Sequence, residues 1–262
     1  MSGIGVFDSG VGGLTVLKTL AQSCPDVNFY FIGDNERAPY GSRSVEELEL
    51  FSKELITALV DMDVDLIVMA CNTISSLDLK FLEKEVDIPI IGIIEATSHL
   101  ADSVTSNRQI GLIATEKTIE SQSYQKLLQA LDEKNQVTAL ATPQLVPLVE
   151  ADKMQTEEAL NVVEQALAPL KEESFDTLIL GCTHYPFLKD EIEQVLGEDI
   201  IIIDASMAVA DSIEKYIGPE MQVDDRVIKL YTSGDSLQFE KIAGDLLTHL
   251  DFEIEKIDLQ GE

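Results

Sequence analysis

Two cysteines carry the strongest chemical signal in the chain. Cys71 lies in DLIVMACNT (65–73) and Cys182 in DTLILGCTH (176–184). Each motif runs Asp, apolar stretch, small residue, Cys, polar pair, with the Asp six residues before the sulfur. A thiol with a reference pKa near 8.5 serves as thiolate base or thiol acid after modest tuning near neutrality. If a helix starts at Asn72-Thr73 or Thr183-His184, its free N–H groups favour a thiolate. Two sulfurs on opposite sides of one cleft can take a proton from one face of a carbon and return it to the other. Their roles exchange with the direction of reaction. The plain alternative is a small buried hydrophobe at a strand end, common for a free Cys; the repeated flanks weigh against it. Cys24, in QSCPD, has no such context.

The elements that must position these sulfurs follow a repeated order. Short apolar runs alternate with longer amphipathic stretches, the βα signature of parallel sheets covered by helices. Strands are predicted at 3–7, 28–32, 65–70, 88–94, 109–113, 138–141, 176–181, 200–204 and 228–232. A helix is predicted over 44–62, where Ser44 and Glu47 read as a capping box. IGVFDS (4–9) corresponds to IGLIAT (110–115), the two cysteine motifs to each other, and IPIIGIIEA (88–96) to DIIIIDAS (199–206). Three matches in one order, at offsets of 106 to 111 residues, indicate an internal repeat of about half the chain. The expected fold class is α/β: two similar lobes of mostly parallel sheet, with a site in the cleft between them. The first lobe is assigned to 1–96 plus 207–262 and carries Cys71; the second, 97–206, carries Cys182. In open α/β sheets ligands bind at the carboxyl ends of the strands, where both cysteines fall.

Composition narrows the partners. The 262 residues include 48 Asp+Glu against 18 Lys+Arg, a net charge of −30 that opposes phosphate backbones at long range. No nucleic-acid partner is expected. Apolar runs are too short to span a bilayer, and the start MSGIGVFDSG has no signal-peptide pattern, so a soluble cytoplasmic protein without a membrane partner is expected. Three cysteines and three histidines, without ligand spacing, indicate neither a disulfide framework nor a metal site.

Beyond the repeat, FDSGVGGLTVL (7–17), GDNERAPYGSR (33–43), ACNT (70–73) and LGCTHYPFL (180–188) resemble the motifs of the glutamate racemases, within the cofactor-independent aspartate/glutamate racemase family. TIESQSY (118–124), VPLVE (146–150) and TSGD (232–235) extend the resemblance through nearly the whole chain. It implies interconversion of L- and D-glutamate by Cys71 and Cys182 without a cofactor, a homodimer, and D-glutamate supply for bacterial peptidoglycan. It also implies that Asp8 assists near the first cysteine and His184 near the second, with Glu150 and Asp34 as supporting carboxylates. Ser9, Tyr40, Gly41, Asn72, Thr73, Thr115, Thr118 and Thr183, with Asp8 and His184, resemble the substrate-binding set. Hydroxyls, an amide and backbone N–H groups suit two carboxylates, and acidic partners suit the ammonium.

Some positions depart from the family pattern. Glu95-Ala96 replaces Pro-Gly, Ala114 and Lys117 replace glycines, Ala205-Ser206 replaces Ser-Gly, and Ser42 replaces a proline. Losing glycine restricts backbone conformation. Three rival readings fit the residues less well. The glycine-rich DSGVGGLT turn could cradle phosphate, but it lacks the P-loop Lys and fails G-x-G-x-x-G at Thr15. A cysteine hydrolase using Cys182 and His184 leaves Cys71 unexplained, and a pure anion-binding cleft leaves both sulfurs unexplained. The four arginines are unevenly spread: Arg37 and Arg43 flank ERAPYGSR, and the expectation is that they offset the acidic field near the site entrance.

Overall fold

The computed structural model describes residues 2–77 and 86–259. Its strands are β1 (Ile4–Asp8), β2 (Phe29–Gly33), β3 (Leu66–Met69), β4 (Ile90–Gly92), β5 (Gln109–Ala114), β6 (Gln136–Ala141), β7 (Thr177–Gly181), β8 (Ile201–Asp204), β9 (Ile228–Thr232) and β10 (Glu253–Lys256). The helices are α1 (Leu14–Ser23), α2 (Val45–Asp61), α3 (Asn72–Ser75), α4 (Ile93–Val104), α5 (Glu116–Ser121), α6 (Ser123–Leu131), α7 (Val146–Glu150), α8 (Glu157–Leu167), α9 (Lys189–Leu196), α10 (Ala205–Ile213) and α11 (Ser236–Leu246). The fold is α/β, with two parallel sheets ordered β10-β9-β2-β1-β3-β4 and β6-β5-β7-β8.

The internal repeat appears as a shared topology. The segment β2-β1-β3-β4 of the first sheet has the same order as β6-β5-β7-β8 of the second. In each, the chain moves to one side of the starting strand and then crosses to the other, so the crevice beside β1 or β5 lies at a reversal of strand order. That is where α/β sheets bind ligands. Cys71 follows β3 and Cys182 follows β7, equivalent strands of the two sheets.

Strands buried on both faces read as continuous apolar runs, which is why they were legible. On the first sheet, Ile4, Val6, Phe29, Phe31, Leu66 and Val68 pack toward α1, α10 and α11. Its other face, with Phe7, Tyr30, Ile32, Ile67 and Met69, packs under α2. On the second sheet, Ile113, Leu178 and Leu180 meet α7, α8 and α9, and Ile110, Leu112 and Ile179 meet α4 and α6. Helix α2 starts at the expected capping box, in which the Glu47 N–H donates to Ser44 Oγ and the Ser44 N–H donates to Glu47.

Two differences from the sequence reading have physical causes. The strand expected over 88–94 is only Ile90–Gly92, because Ile93 and Ile94 open α4 and are buried as helix residues. Strand β10, EIEK, was missed because its charges break the apolar pattern; such charges are typical of an exposed sheet edge.

The repeated Asp does the same work twice. Asp65 accepts from the Ser2 hydroxyl and the Gly3 N–H, just before β1. Asp176 accepts from the Thr105 hydroxyl and the Ser106 and Asn107 N–H groups, just before β5. Each carboxylate therefore ties its cysteine strand to the start of the central strand. At Asp176 burial raises the pKa, but the bonds from Thr105, Asn107 and Ser106 outweigh it and leave it below the usual range. A depressed carboxylate stabilises the fold above its unfolded pKa of about 3.9, and the contribution is lost as pH falls through the lower folded value. Asp176→Ala is expected to cost about 1–3 kcal/mol in urea unfolding at pH 7. The gap to the parent should narrow once pH drops below both values.

Candidate active site

Strand β1 delivers Asp8 into a buried position at its carboxyl end. There Asp8 Oδ2 accepts from the N–H groups of Gly13 (2.8 Å) and Gly10 (3.3 Å). The Thr183 hydroxyl, beside Cys182, donates to the same carboxylate at 3.2–3.3 Å. This bond joins the loops after β1 and β7, which belong to different sheets. The glycines of DSGVGG make the approach possible. A Cβ at Gly12 would lie 2.5 Å from Thr183 Oγ1 and 2.9 Å from His184 Nδ1, and one at Gly13 would lie 2.4 Å from Asp8 Cβ. The turn is closed against protein side chains, which leaves no cradle for phosphate.

Cys71 sits at the N-cap of α3, with Sγ 3.7 Å from Ser9 Oγ. Burial, the largest influence, and the nearby Asp8 charge push its thiol up to about 12, against the lowering effects of the Ile74 N–H and Ser9. The expected preference for thiolate at a helix start is therefore overridden at Cys71. Asp8 is itself raised by burial, against the His184 charge and the N–H groups of Gly13, Gly10 and Ser9.

Cys182 keeps different company. Its Sγ lies 3.7 Å from His184 Nδ1, and His184 Nε2 lies 2.5 Å from Glu150 Oε1 at the end of α7. Burial works to lower the imidazole pKa, but the partners Cys182 and Glu150 outweigh it and raise it well above its ordinary value. The imidazole is thus held protonated between sulfur and carboxylate. The two sulfurs occupy equivalent topological positions in unlike electrostatic settings.

The remaining expected residues fall into two groups. Ser9, Tyr40, Gly41, Asn72, Thr73, Thr115, Thr183 and His184 line one cleft with both cysteines. Thr118 stands just behind, its hydroxyl 3.1 Å from that of Thr115, which is 3.0 Å from that of Thr73. Gly41 is needed where the turn at 40–42 meets the second sheet's loop: a Cβ there would lie 2.8 Å from Thr115 Cβ. Asp8 and Glu150 support the lining from behind, through Thr183 and His184. Asp34 is fully buried away from the cleft, accepting from Tyr40, Arg37 and Ser233. It acts on the cleft only by holding Tyr40. Arg37 pairs with Asp34 and Glu54 and lies 4.0 Å from the centre of the Phe51 ring. Arg43 holds the Arg37 carbonyl and Glu47. These arginines clamp the loop, in place of the expected role at the site entrance.

Pro39 and Val146 also line the cleft and were missed, being apolar residues without a chemical signature. The space open to water-sized molecules is only about 20 Å³, little more than one water. Among the described residues, no three His, Cys, Asp or Glu side chains converge to hold a metal ion, and no helix is long and apolar enough to cross a membrane.

The fold and site define an α/β protein of two like parallel sheets that close on one cleft, each contributing one cysteine to its lining. The model of the Asp/Glu/Hydantoin racemase family matches residues 4–213, and the chain belongs to that family. It is 38% identical over 262 residues to the glutamate racemase of Carnobacterium sp. (strain St2), covering 98% of both chains. It resembles the crystal structure of a glutamate racemase isoform from Bacillus anthracis with a TM-score of 0.92 and 38% identity, over 100% of this chain and 99% of that one. For the glutamate racemase of Francisella tularensis, solved in complex with D-glutamate, the TM-score is 0.89 at 28% identity, over 99% and 98% of the two chains.

The His184 setting gives a pH prediction. With a raised pKa, effects that depend on the imidazolium are complete below about 6.5 and fade as pH rises through the folded value. Glu150→Gln removes one raising partner. His184 should then titrate at lower pH in an NMR titration, and turnover should decline at lower pH on the alkaline side. A loss on the order of 10-fold above the new midpoint corresponds to about 1.4 kcal/mol.

Proposed function

We propose that the chain interconverts L- and D-glutamate by two-base proton transfer at the α-carbon, with Cys71 and Cys182 on opposite faces of the substrate. The carrying observation is that two cysteines from equivalent positions of the two sheets line one cleft. Their differing surroundings supply both proton states at once: a thiol at Cys71 and, at Cys182, a sulfur backed by a charged imidazole. In one direction Cys182 takes the α-proton and Cys71 delivers its own to the other face. In the reverse direction the roles exchange, and His184 with Glu150 holds charge on the Cys182 side.

The substrate class follows from the lining and from the relatives. Ser9, Asn72, Thr73, Thr115, Thr118 and Thr183, with backbone around Tyr40 and Gly41, offer neutral donors for two carboxylates. Asp8 provides the negative charge for the ammonium. The solved relative from Francisella tularensis holds D-glutamate, and its chain is matched almost end to end. With little more than a water's volume open between the side chains, glutamate enters when the two halves separate. These halves are taken as 1–96 with 207–262, and 97–206, moving about the segments that join the sheets. The same reading includes a cytoplasmic homodimer that supplies D-glutamate for peptidoglycan. A strain lacking the protein would then require D-glutamate for growth.

Incubation with either enantiomer in deuterated water should give racemic glutamate carrying deuterium at Cα, with no added cofactor. Cys71→Ala and Cys182→Ala should each lower the rate roughly 10²–10⁴-fold or more. Wild-type racemisation by either single variant, or racemisation without solvent exchange, would contradict the two-base assignment.

A further inference from the structure

The TIESQSY segment contributes more to the cleft than its threonine. Gln122 adopts the left-handed conformation (φ 57°), ending α5 and opening α6, so that Thr118 and Tyr124 approach the cleft from two different helices. Helix α6 is fastened to both ends of α3. The Ser123 hydroxyl donates to the Ser76 carbonyl at 2.8 Å, and the Tyr124 hydroxyl donates to Asn72 Oδ1 at 2.6 Å. Tyr124 is fully buried and does not itself line the cleft; Asn72 does.

Asn72 is 2% exposed, and its Nδ2 is buried without a hydrogen-bond partner among the described residues. An amide left this way carries a desolvation cost that a bound acceptor would remove. Its two ends are chemically opposite, and rotation by 180° exchanges them. Were the amide turned over, its oxygen would face the incoming carboxylates and repel them. The Tyr124 hydroxyl donates to the oxygen end, and turning the amide over would give up that bond as it stands. Burial, the largest influence, raises the phenol pKa, so Tyr124 keeps the proton it donates.

We propose that Tyr124 is a positioning residue for substrate: by binding Asn72 Oδ1 it presents the Asn72 NH₂ to a substrate carboxylate. The inference rests on the reading of the cleft as a glutamate site. It assigns Tyr124 a part in binding and none in proton transfer. Thus ground state and transition state lose the same contact, and KM moves while kcat does not.

The test is Tyr124→Phe in the full chain, assayed with both enantiomers. KM should rise roughly 5- to 10-fold for each, with kcat and the pH profile within twofold of the parent. In a double-mutant cycle, Tyr124→Phe should add no further KM change once Asn72 is Ala, because its effect passes through that amide. An unchanged KM, or an equal penalty in the Asn72→Ala background, would overturn the proposal. If the variant does not fold, the parent serves instead. Saturation with D-glutamate should shift the Asn72 side-chain NH₂ resonances and slow their exchange with solvent, and absence of both changes would overturn the assignment. A parent protein that racemises no glutamate at all would instead fail the reading of the cleft, a distinct result.

Discussion

The buried carboxylate of Asp8 is the constraint on which the site depends. A negative group inside an α/β core is tolerable only with donors around it, and here they come from two directions. Backbone N–H groups of the glycine turn come from its own loop, and the Thr183 hydroxyl comes from the other sheet. The same contacts bring the Cys182 loop to the Cys71 strand end. Asp8 also helps hold the Cys71 thiol protonated through its charge. One side chain thereby couples the join between the sheets to the protonation of a catalytic candidate. The glycines follow from this, since a Cβ at Gly12 would occupy the space where the halves meet and one at Gly13 would strike Asp8 itself.

The repeat makes two equivalent strand ends, and the sulfurs that follow them keep unlike neighbours. The asymmetry arises from what surrounds the repeat. Asp8 ends β1, whereas the equivalent strand β5 ends in Ala114 followed by Thr115. After the cysteines, Asn72-Thr73 in one half is matched by Thr183-His184 in the other, and only the latter is backed by a carboxylate, Glu150. The topology is symmetric, and the electrostatics are set by a few residues at its margins.

This division explains what could be read from the sequence. Strand positions, the capping box at Ser44 and the paired Asp–Cys motifs were legible because they rest on short-range patterns: apolar period, capping chemistry and equal spacing. Asp65 and Asp176 show how far such a pattern reaches, since their spacing was visible but their common task, anchoring the start of the neighbouring strand, was not. The burial of Asp34 and Arg37 was not legible, because a motif does not reveal which charges are enclosed. They form an internal cluster that sets the Tyr40 turn. Pro39, Val146 and Tyr124 escaped because two are apolar and the third acts through another side chain. The override of helix-start stabilisation at Cys71 needed three-dimensional knowledge of the desolvation and of Asp8.

The net charge of −30 finds its meaning in the same cluster of facts. All four arginines are engaged with the protein's own groups: Arg37 and Arg43 in the loop clamp, Arg108 with Asp102 and Asp132, and Arg226 on the Ala21 carbonyl. The cleft lining contains no Lys or Arg; its one basic residue is His184. On the proposed reading, a dicarboxylate meets neutral hydroxyls and an amide beside a single charged imidazole, in a protein whose surface repels it. At physiological ionic strength the surface field decays over about 8 Å, so a buried cleft is partly insulated from it. Under the proposed two-base transfer, the task of the oriented hydroxyls and the Asn72 amide that line the cleft is to fix where the α-carbon lies between the two sulfurs, the position that such a transfer requires.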